Sequence, residues 1–316
     1  MAEIGKDIAK AKAILEAGGL VGIPTETVYG LAANALDAEA VAKIFEVKNR
    51  PEFDPLIIHV SSMQQVVKYT EGIHPILESL GTIFWPGPLT LLLPRKSIIP
   101  DLVTSGLDHV AVRVPQHPLT LGLLANLDFP LAAPSANPFG YISPTTAAHV
   151  DDQLGDMIPY VLDGGNSEVG LESTIIGLEE EQITIYRLGG VDVGDIEKIV
   201  GPVTIMSHSS SNPKSPGMLK SHYAPRKKVI LGDIAKNLGV YKNEKIGILS
   251  FTSQYTGGQE SFVLSERGSY AEAAKNLFTA LRFLDQADVS LILAELLPEE
   301  NLGRAINDRL RRASVK

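Results

Sequence analysis

Short apolar runs alternate with helix-patterned stretches as far as about residue 205, and that alternation decides the class of fold. "LVGIP", "PLIIHV", "LTLLLP", "HVAVRVP", "PLAAP", "YVLDGG", "STIIGL" and "QITIYRL" read as strands. "DIAKAKAILEAGG" ends in two glycines, a helix stop, and "DAEAVAKIFEVK" opens at Asp37, a candidate N-cap. "SMQQVVKYT" and "HPILESLGTIF" also read as helices, and "WPGP" as a turn. Such a mixture predicts a sheet layered with helices. The texture then breaks: "SHSSSNPKSPGMLKSHYAP" (Ser207 to Pro225) is rich in Ser, Pro, Gly and Lys, has no period, and predicts a linker. Beyond it "KKVILGD", "KIGILSF", "SFVLSE" and "VSLILAELLP" surround the helix "SYAEAAKNLFTALRFLDQA", the pattern of a small parallel α/β domain. The expected organisation is a first domain over 1–206, a linker over 207–225 and a second domain over 226–316.

A chain of 316 residues suits two such domains, and 44% hydrophobic with 21% charged residues gives each enough material for a core. The 28 basic and 37 acidic residues leave a formal charge of -9. That removes a global basic surface for nucleic acid or an anionic membrane, so phosphate handling would need locally gathered cations. With no cysteine, thiolate catalysis, disulfides and cysteine zinc sites are excluded. "MAEIGKDIAKAKAIL" is an amphipathic helix pattern rather than a signal peptide, and runs such as "LTLLLP" are too short to span a bilayer, so a cytoplasmic protein is expected. The phosphate-loop, dinucleotide-fold and nucleophile-elbow glycine motifs do not occur.

Five stretches carry candidate chemistry. "IPTETVYGLAANA" (Ile23 to Ala35) places two threonines and a glutamate where a strand meets a loop, ahead of an expected helix. Those hydroxyls either line a ligand crevice beyond the strand end or bond their own turn. "KNRPEFDP" (Lys48 to Pro55) sets two cations in a loop stiffened by prolines, suited to phosphate oxygens or, for Lys48, to a helix C-terminus. Arg113 in "HVAVRVP" points away from the face shared by Val110, Val112 and Val114, and Arg187 in "TIYRLGG" ends a strand. Each needs a carboxylate partner or a wet cleft. In "APSANPFGYISPTT", Ser143–Pro144 has the form of an N-cap with proline at the first helical position, which leaves Ser135 and Asn137 without a role. "GLESTIIG" puts Ser173 and Thr174 at a strand start. His59 closes a strand and His109 opens one; the basic "RLRRASVK" near the end reads as a solvated helix face.

Taken together, "PTETVYGL", "KNRP", "PLIIHV", "WPGPLT", "VAVRVP", "APSAN", "STI" and "YRLGG" occur in the order found in the YrdC-like family, and "SPGMLKSHYAP" resembles the linker of its long, two-domain form. The resemblance implies a twisted α/β domain around a mixed sheet with a basic cavity, plus a smaller Rossmann-like domain. It implies condensation of L-threonine, bicarbonate and ATP to threonylcarbamoyl-AMP and pyrophosphate, with Mg²⁺ accompanying ATP and no dedicated protein metal site. The product would pass to the transferase complex that modifies adenosine in tRNA. By motif, Thr27, His59, Arg113 and Ser173 would face threonine. Lys48, Arg50, Asp54, His109, Ser135, Asn137, Ser143, Arg187 and Tyr223 would serve ATP, with Lys48, Arg50 and Arg113 as the catalytic cations and Tyr223 part of a lid. Two rivals remain at this level. An RNA-binding module of the same fold is disfavoured by the net negative charge. A carbamoyltransferase is disfavoured by the lack of cysteines.

Overall fold

The computed structural model describes residues 1–206 and 222–315. Of the expected linker, residues 207–221 lie outside the described residues. The first unit contains β1 (Glu3–Gly5), β2 (Val21–Ile23), β3 (Gly30–Asn34), β4 (Ile57–His59), β5 (Leu89–Pro94), β6 (His109–Arg113), β7 (Leu131–Ala132), β8 (Tyr160–Leu162), β9 (Thr174–Glu179), β10 (Gln182–Arg187) and β11 (Thr204–Ile205). Its helices are α1 (Ile8–Glu16), α2 (Ala38–Lys48), α3 (Met63–Tyr69), α4 (Pro75–Phe84), α5 (Asp101–Thr104), α6 (Pro118–Ala125), α7 (Ala147–Leu154) and α8 (Val193–Val200). The strands form one mixed sheet in the order β1-β8-β2-β3-β7-β4-β6-β5-β9-β10-β11.

Helix starts follow local chemistry. The carboxylates of Asp7, Asp37 and Asp192 accept from first-turn backbone N–H groups of α1, α2 and α8. The expected start at Ser143–Pro144 is not one: α7 begins at Ala147, and the Thr146 hydroxyl accepts from His149 N. The Pro144 carbonyl accepts instead from Tyr29 N at 2.8 Å, which ties that segment to the Pro24–Tyr29 loop. The expectation of a helix directly after that loop also gives way. Strand β3 comes first, pairing antiparallel with β2, and α2 follows it.

Strand alternation divides the sheet into two faces. Ile58, Val110 and Val112 join the largest core, with Val41 and Ile44 of α2 and Leu77 and Leu80 of α4. On the other face, α1 and α6 cover β2 and β8 through Leu15, Leu123, Val21 and Leu162. That cover stops short of β4 and β6. There Ile57 and Ala111 pair in register in a separate small cluster, and two residues along the strands His59 pairs with Arg113. The uncovered part of this face carries the site.

The second unit is a parallel sheet of β12 (Lys228–Leu231), β13 (Ile246–Ser250), β14 (Glu260–Val263) and β15 (Leu291–Ala294), ordered β12-β15-β13-β14. Helix α9 (Ile234–Val240) packs on one face, while α10 (Tyr270–Gln286) and α11 (Gly303–Ala313) pack on the other. Helices on both faces of a parallel sheet make a Rossmann-like layer arrangement. The α10–α11 face shares one apolar core with Val28, Ile142 and Leu171 of the first unit. The approach is close at Gly170. Its φ is +74°, and an added Cβ would lie 2.5 Å from Lys275 Cα. Only glycine satisfies both conditions there.

Candidate active site

A cavity opens on the uncovered sheet face. Its walls include Thr25, Thr27, Arg50, His59, Arg113, Ser135, Glu172, Ser173, Arg187, His222 and Tyr223. Its floor is the sheet face itself, around Ile57, His59 and Arg113, rather than a crevice beyond strand ends. The threonines of the Pro24–Tyr29 loop stand past the end of β2, and Ser135 past the end of β7.

Arg113 organises the floor. Its Nη2 donates to Glu26 Oε1 at 2.6 Å, Nη1 to Thr27 Oγ1 at 2.8 Å, and Nε to Gly87 O at 3.2 Å. Glu26 is buried, and its second oxygen accepts from Gln116 N at 3.0 Å. The threonine hydroxyls continue the chain. Thr25 Oγ1 donates to Val28 O at 2.6 Å, so the 2.7 Å contact between the two hydroxyls must use the proton of Thr27. Thr25 therefore closes its own turn, while Thr27 links that turn to Arg113. Thr25 fits the turn reading of the "PTET" hydroxyls, and both threonines border the cavity.

Arg187 reaches the cavity where β10 is irregular, between Ile185 and Arg187. Its Nε donates to Ser173 O and its Nη2 to Ser173 Oγ, both at 3.0 Å. Ser173 Oγ is also 2.7 Å from Thr90 Oγ1. Burial lowers the Arg187 pKa to about 10, against partial support from Tyr223 and Glu172. The group stays cationic at neutral pH. Arg50 Nη2 forms an ion pair with Asp54 Oδ2 at 2.8 Å and donates to Pro55 O at 2.8 Å, while its Nε donates to Asp54 O at 3.0 Å. Asp54 therefore stands behind Arg50 and does not line the cavity.

Besides Asp54, four expected ATP residues do not line the cavity. Lys48 is buried one layer behind the wall, with Nζ donating to Ser135 O at 2.5 Å and also to Asn137 O. Burial, then neighbouring Arg50, drives its pKa well below the ordinary lysine value. In this geometry it is an anchor for the Ser135–Asn137 loop. Ser143 is fully buried and donates to Glu172 Oε1 at 2.6 Å. His109 is exposed at the first residue of β6, whereas Arg113 is the last. At about 3.3 Å per residue that separation carries His109 away from the cavity. It lines a different depression, with His74 and Leu178. Asn137 is buried beside the site, its Nδ2 donating to Tyr141 O at 2.8 Å and its Oδ1 without a partner among the described residues.

The roof comes from the far end of the linker and from the second unit. His222 and Tyr223 are both buried, with ring centroids 4.2 Å apart, and Tyr223 packs 5.6 Å from Phe278 of α10. Tyr223 holds a φ of +62°, and Ala224 N donates to Gly140 O at 2.8 Å just beyond it. The lid expectation for Ser207–Ser221 lies outside the described residues.

Three buried charged residues at the site were given no role from the sequence: Glu26, Glu172 and Arg309. Glu26 stands between the two threonines, and Glu172 directly precedes Ser173. Arg309 belongs to the stretch read as a solvated helix face. That expectation is overturned, because Arg309 and Arg312 on α11 are almost completely buried. Spacing was the available signal: Ile306, Leu310 and Ala313 form the buried stripe of α11, and Arg309 follows Ile306 by three residues.

Three histidines are held neutral. His59 is lowered to about 3 by burial and by Arg113, and His149 to about 4 by burial and by Arg282. His222 is lowered well below its ordinary value by burial, Arg50 and Lys48. The unfolded chain binds protons near 6.5 that the folded chain refuses. Stability therefore falls as pH drops below that value, and for His59 it goes on falling to about pH 3. His59 alone should cost roughly 2 kcal/mol at pH 5. Denaturant unfolding at pH 7.5 and pH 5 checks this; equal stabilities would contradict it.

Among the described residues, no helix is long and apolar enough to cross a membrane. A family model described as "Telomere recombination", covering the Sua5, YciO and YrdC proteins, matches residues 13–189. A second, described as "Threonylcarbamoyl-AMP synthase, C-terminal domain", matches residues 191–315. The chain is 42% identical to the threonylcarbamoyl-AMP synthase of Pyrococcus abyssi, over 96% of its own length and 93% of the relative's. It is 37% identical to that of Bacillus subtilis, over 97% and 92%. The crystal structure of P. abyssi Sua5 complexed with L-threonine superposes with a TM-score of 0.94 at 40% identity, covering 99% of this chain and 97% of that one. Escherichia coli YciO, at 20% identity and a TM-score of 0.53 over 63% of this chain, shares the fold of the first unit.

Proposed function

Since the chain belongs to the Sua5–YciO–YrdC family in its long, two-domain form, we propose that its cavity carries out threonylcarbamoyl-AMP synthesis as follows. The enzyme is a nucleotidyltransferase. The amino nitrogen of L-threonine adds to the carbon of bicarbonate, and water leaves, giving N-carboxythreonine. A carboxylate oxygen of that carbamate attacks the α-phosphorus of ATP. The bond from the α-phosphorus to the bridging oxygen breaks, and pyrophosphate departs. No protein nucleophile is required, because the carbamate supplies it.

The task left to the protein is to bring two anions together and hold them in line. The observation that supports this reading is the convergence of Arg50, Arg113 and Arg187 on one cavity of a net-acidic chain. Arg113 and Thr27 would take the threonine carboxylate and hydroxyl, with Ser173 opposite. Neutral His59 faces the amino group, its buried Nδ1 having no partner among the described residues. Arg50, Arg187, Ser135 and Tyr223 border the nucleotide side, with Lys48, Asn137, Ser143 and Asp54 fixing the walls behind them.

Magnesium enters as the counter-ion of ATP. Glu172 on the cavity wall and Glu26 beneath the floor are engaged by Arg309 and Arg113. If the ion touches the protein, the Ser135 hydroxyl on the cavity wall would be its contact, and the ion would supply positive charge against the leaving pyrophosphate. The product is then handed to the transferase that modifies tRNA.

Pyrophosphate release, with threonine and bicarbonate omitted in turn, tests the reading. It should require both; release that needs neither points to an unrelated ATPase. Within that assay Thr27→Val should raise the threonine KM at least about tenfold and leave the ATP KM nearly unchanged. Equal shifts in both would count against the placement of Thr27.

A further inference from the structure

We propose that Arg309, on the last helix of the second unit, is a positioning residue of the active site: it holds the Glu172 carboxylate so that Arg187 stays free for nucleotide phosphate. The claim rests on the synthase reading above. Arg309 is completely buried. Its Nε and Nη2 both donate to Glu172 Oε2, at 3.0 and 2.9 Å, and its Nη1 donates to Leu188 O at 2.5 Å. Its guanidinium carbon lies 5.1 Å from the ring centroid of Tyr223. One side chain thus grips the residue before Ser173, the residue after Arg187, and the aromatic roof.

The charges explain why that grip matters. Glu172 lies on the cavity wall with Arg187 on one side and Arg309 on the other. Burial pushes its carboxyl pKa up, but Arg309 and Arg187 more than offset this and keep it ionised. Its two oxygens are committed to Arg309 and to Ser143, while the donors of Arg187 go to Ser173. Asp308 supports the arrangement from behind, 3.2 Å from Arg309 Nη1 and 3.0 Å from Arg312 Nε. Without Arg309, Glu172 would lose the larger of its two cationic neighbours and depend on Arg187 for its charge partner. An Arg187–Glu172 pair would then compete with phosphate. Arg309 thereby gives the second unit a role in catalysis, beyond covering apolar surface.

The test compares wild type with Arg309→Met, Arg309→Met/Glu172→Gln and Ile306→Ala, a packing change on the same helix. Thermal unfolding is followed for each, with ATP titrated at saturating threonine and bicarbonate, and ATP affinity is read separately by calorimetry. Arg309→Met should raise the ATP KM and Kd about tenfold or more, with a smaller change for threonine. The double variant should recover most of that loss, because the liberated carboxylate is gone. Ile306→Ala should lower Tm yet keep the ATP KM. Wild-type ATP affinity in Arg309→Met, or a double variant no better than the single one, overturns the proposal. If Arg309→Met does not fold, Arg309→Lys should still weaken ATP about threefold by losing the two-nitrogen hold, and an unchanged affinity there overturns the proposal equally. A wild type whose pyrophosphate release ignores threonine and bicarbonate would sink the synthase reading instead. The calorimetric comparison would still decide the Arg309 claim.

Discussion

Arg113→Met should lower kcat/KM for threonine-dependent pyrophosphate release by about a thousandfold or more, a loss of roughly 4 kcal/mol in transition-state stabilisation. Methionine fills much of the same volume but removes every donor that reaches Glu26, Thr27 and Gly87. The substrate loses its fork-shaped carboxylate partner. Glu26 would keep its bond from Gln116 N but lose its cation inside a buried wall. Breaking one side of such a pair costs about 3–5 kcal/mol of stability, so unfolding should shift as well. The two losses can be separated. Adding Glu26→Gln removes the stranded charge and should return much of the stability, while activity stays low. If Arg113→Met retains threonine-dependent turnover, the floor of the cavity has been assigned wrongly.

Tyr223→Ala should have the second-largest effect. The ring is enclosed by Phe278, His222 and the Arg309 guanidinium, and deleting a buried aromatic of this size costs about 3–5 kcal/mol. Adenylate formation should slow by about a hundredfold, because the nucleotide side of the cavity loses its roof and admits water. The backbone offers a control. At a φ of +62° alanine carries the same conformational cost as tyrosine, whereas glycine does not. Tyr223→Gly should therefore recover part of the stability lost in Tyr223→Ala, and none of the rate. Single-turnover formation of the adenylate measures this. A wild-type rate in either variant would show that the roof takes no part in the reaction.

The local layer of this structure was readable without coordinates. The alternation of runs located most strands, Asp37 marked the start of α2, and the valine face of β6 correctly turned Arg113 away from the core. The resemblance brought Thr27, His59, Ser173 and Arg187 to one place, and they do line one cavity. Three kinds of information were not in the local pattern. The pairing order runs far from chain order, with β8 between β1 and β2, so the position of the uncovered sheet face could not be deduced. The depth of a cation depends on what packs around it: Lys48 and Arg309 look like surface charges in sequence and are buried in the fold. Distance along a strand also separates residues that motifs group together, which is why His109 falls outside the site that Arg113 enters. Ser143 is a related case. Its Ser–Pro spacing imitates a helix start, but its hydroxyl is spent on Glu172.

The claim underneath all of this is that the arginine-lined cavity joins a carbamate made from bicarbonate to the α-phosphate of ATP. The most direct measurement supplies ¹³C-bicarbonate, L-threonine and ATP and weighs the nucleotide product by mass spectrometry. The account predicts an AMP conjugate carrying threonine and one labelled carbon, formed one-for-one with pyrophosphate and lost in Arg113→Met. AMP or ADP accumulating without a labelled conjugate would contradict it.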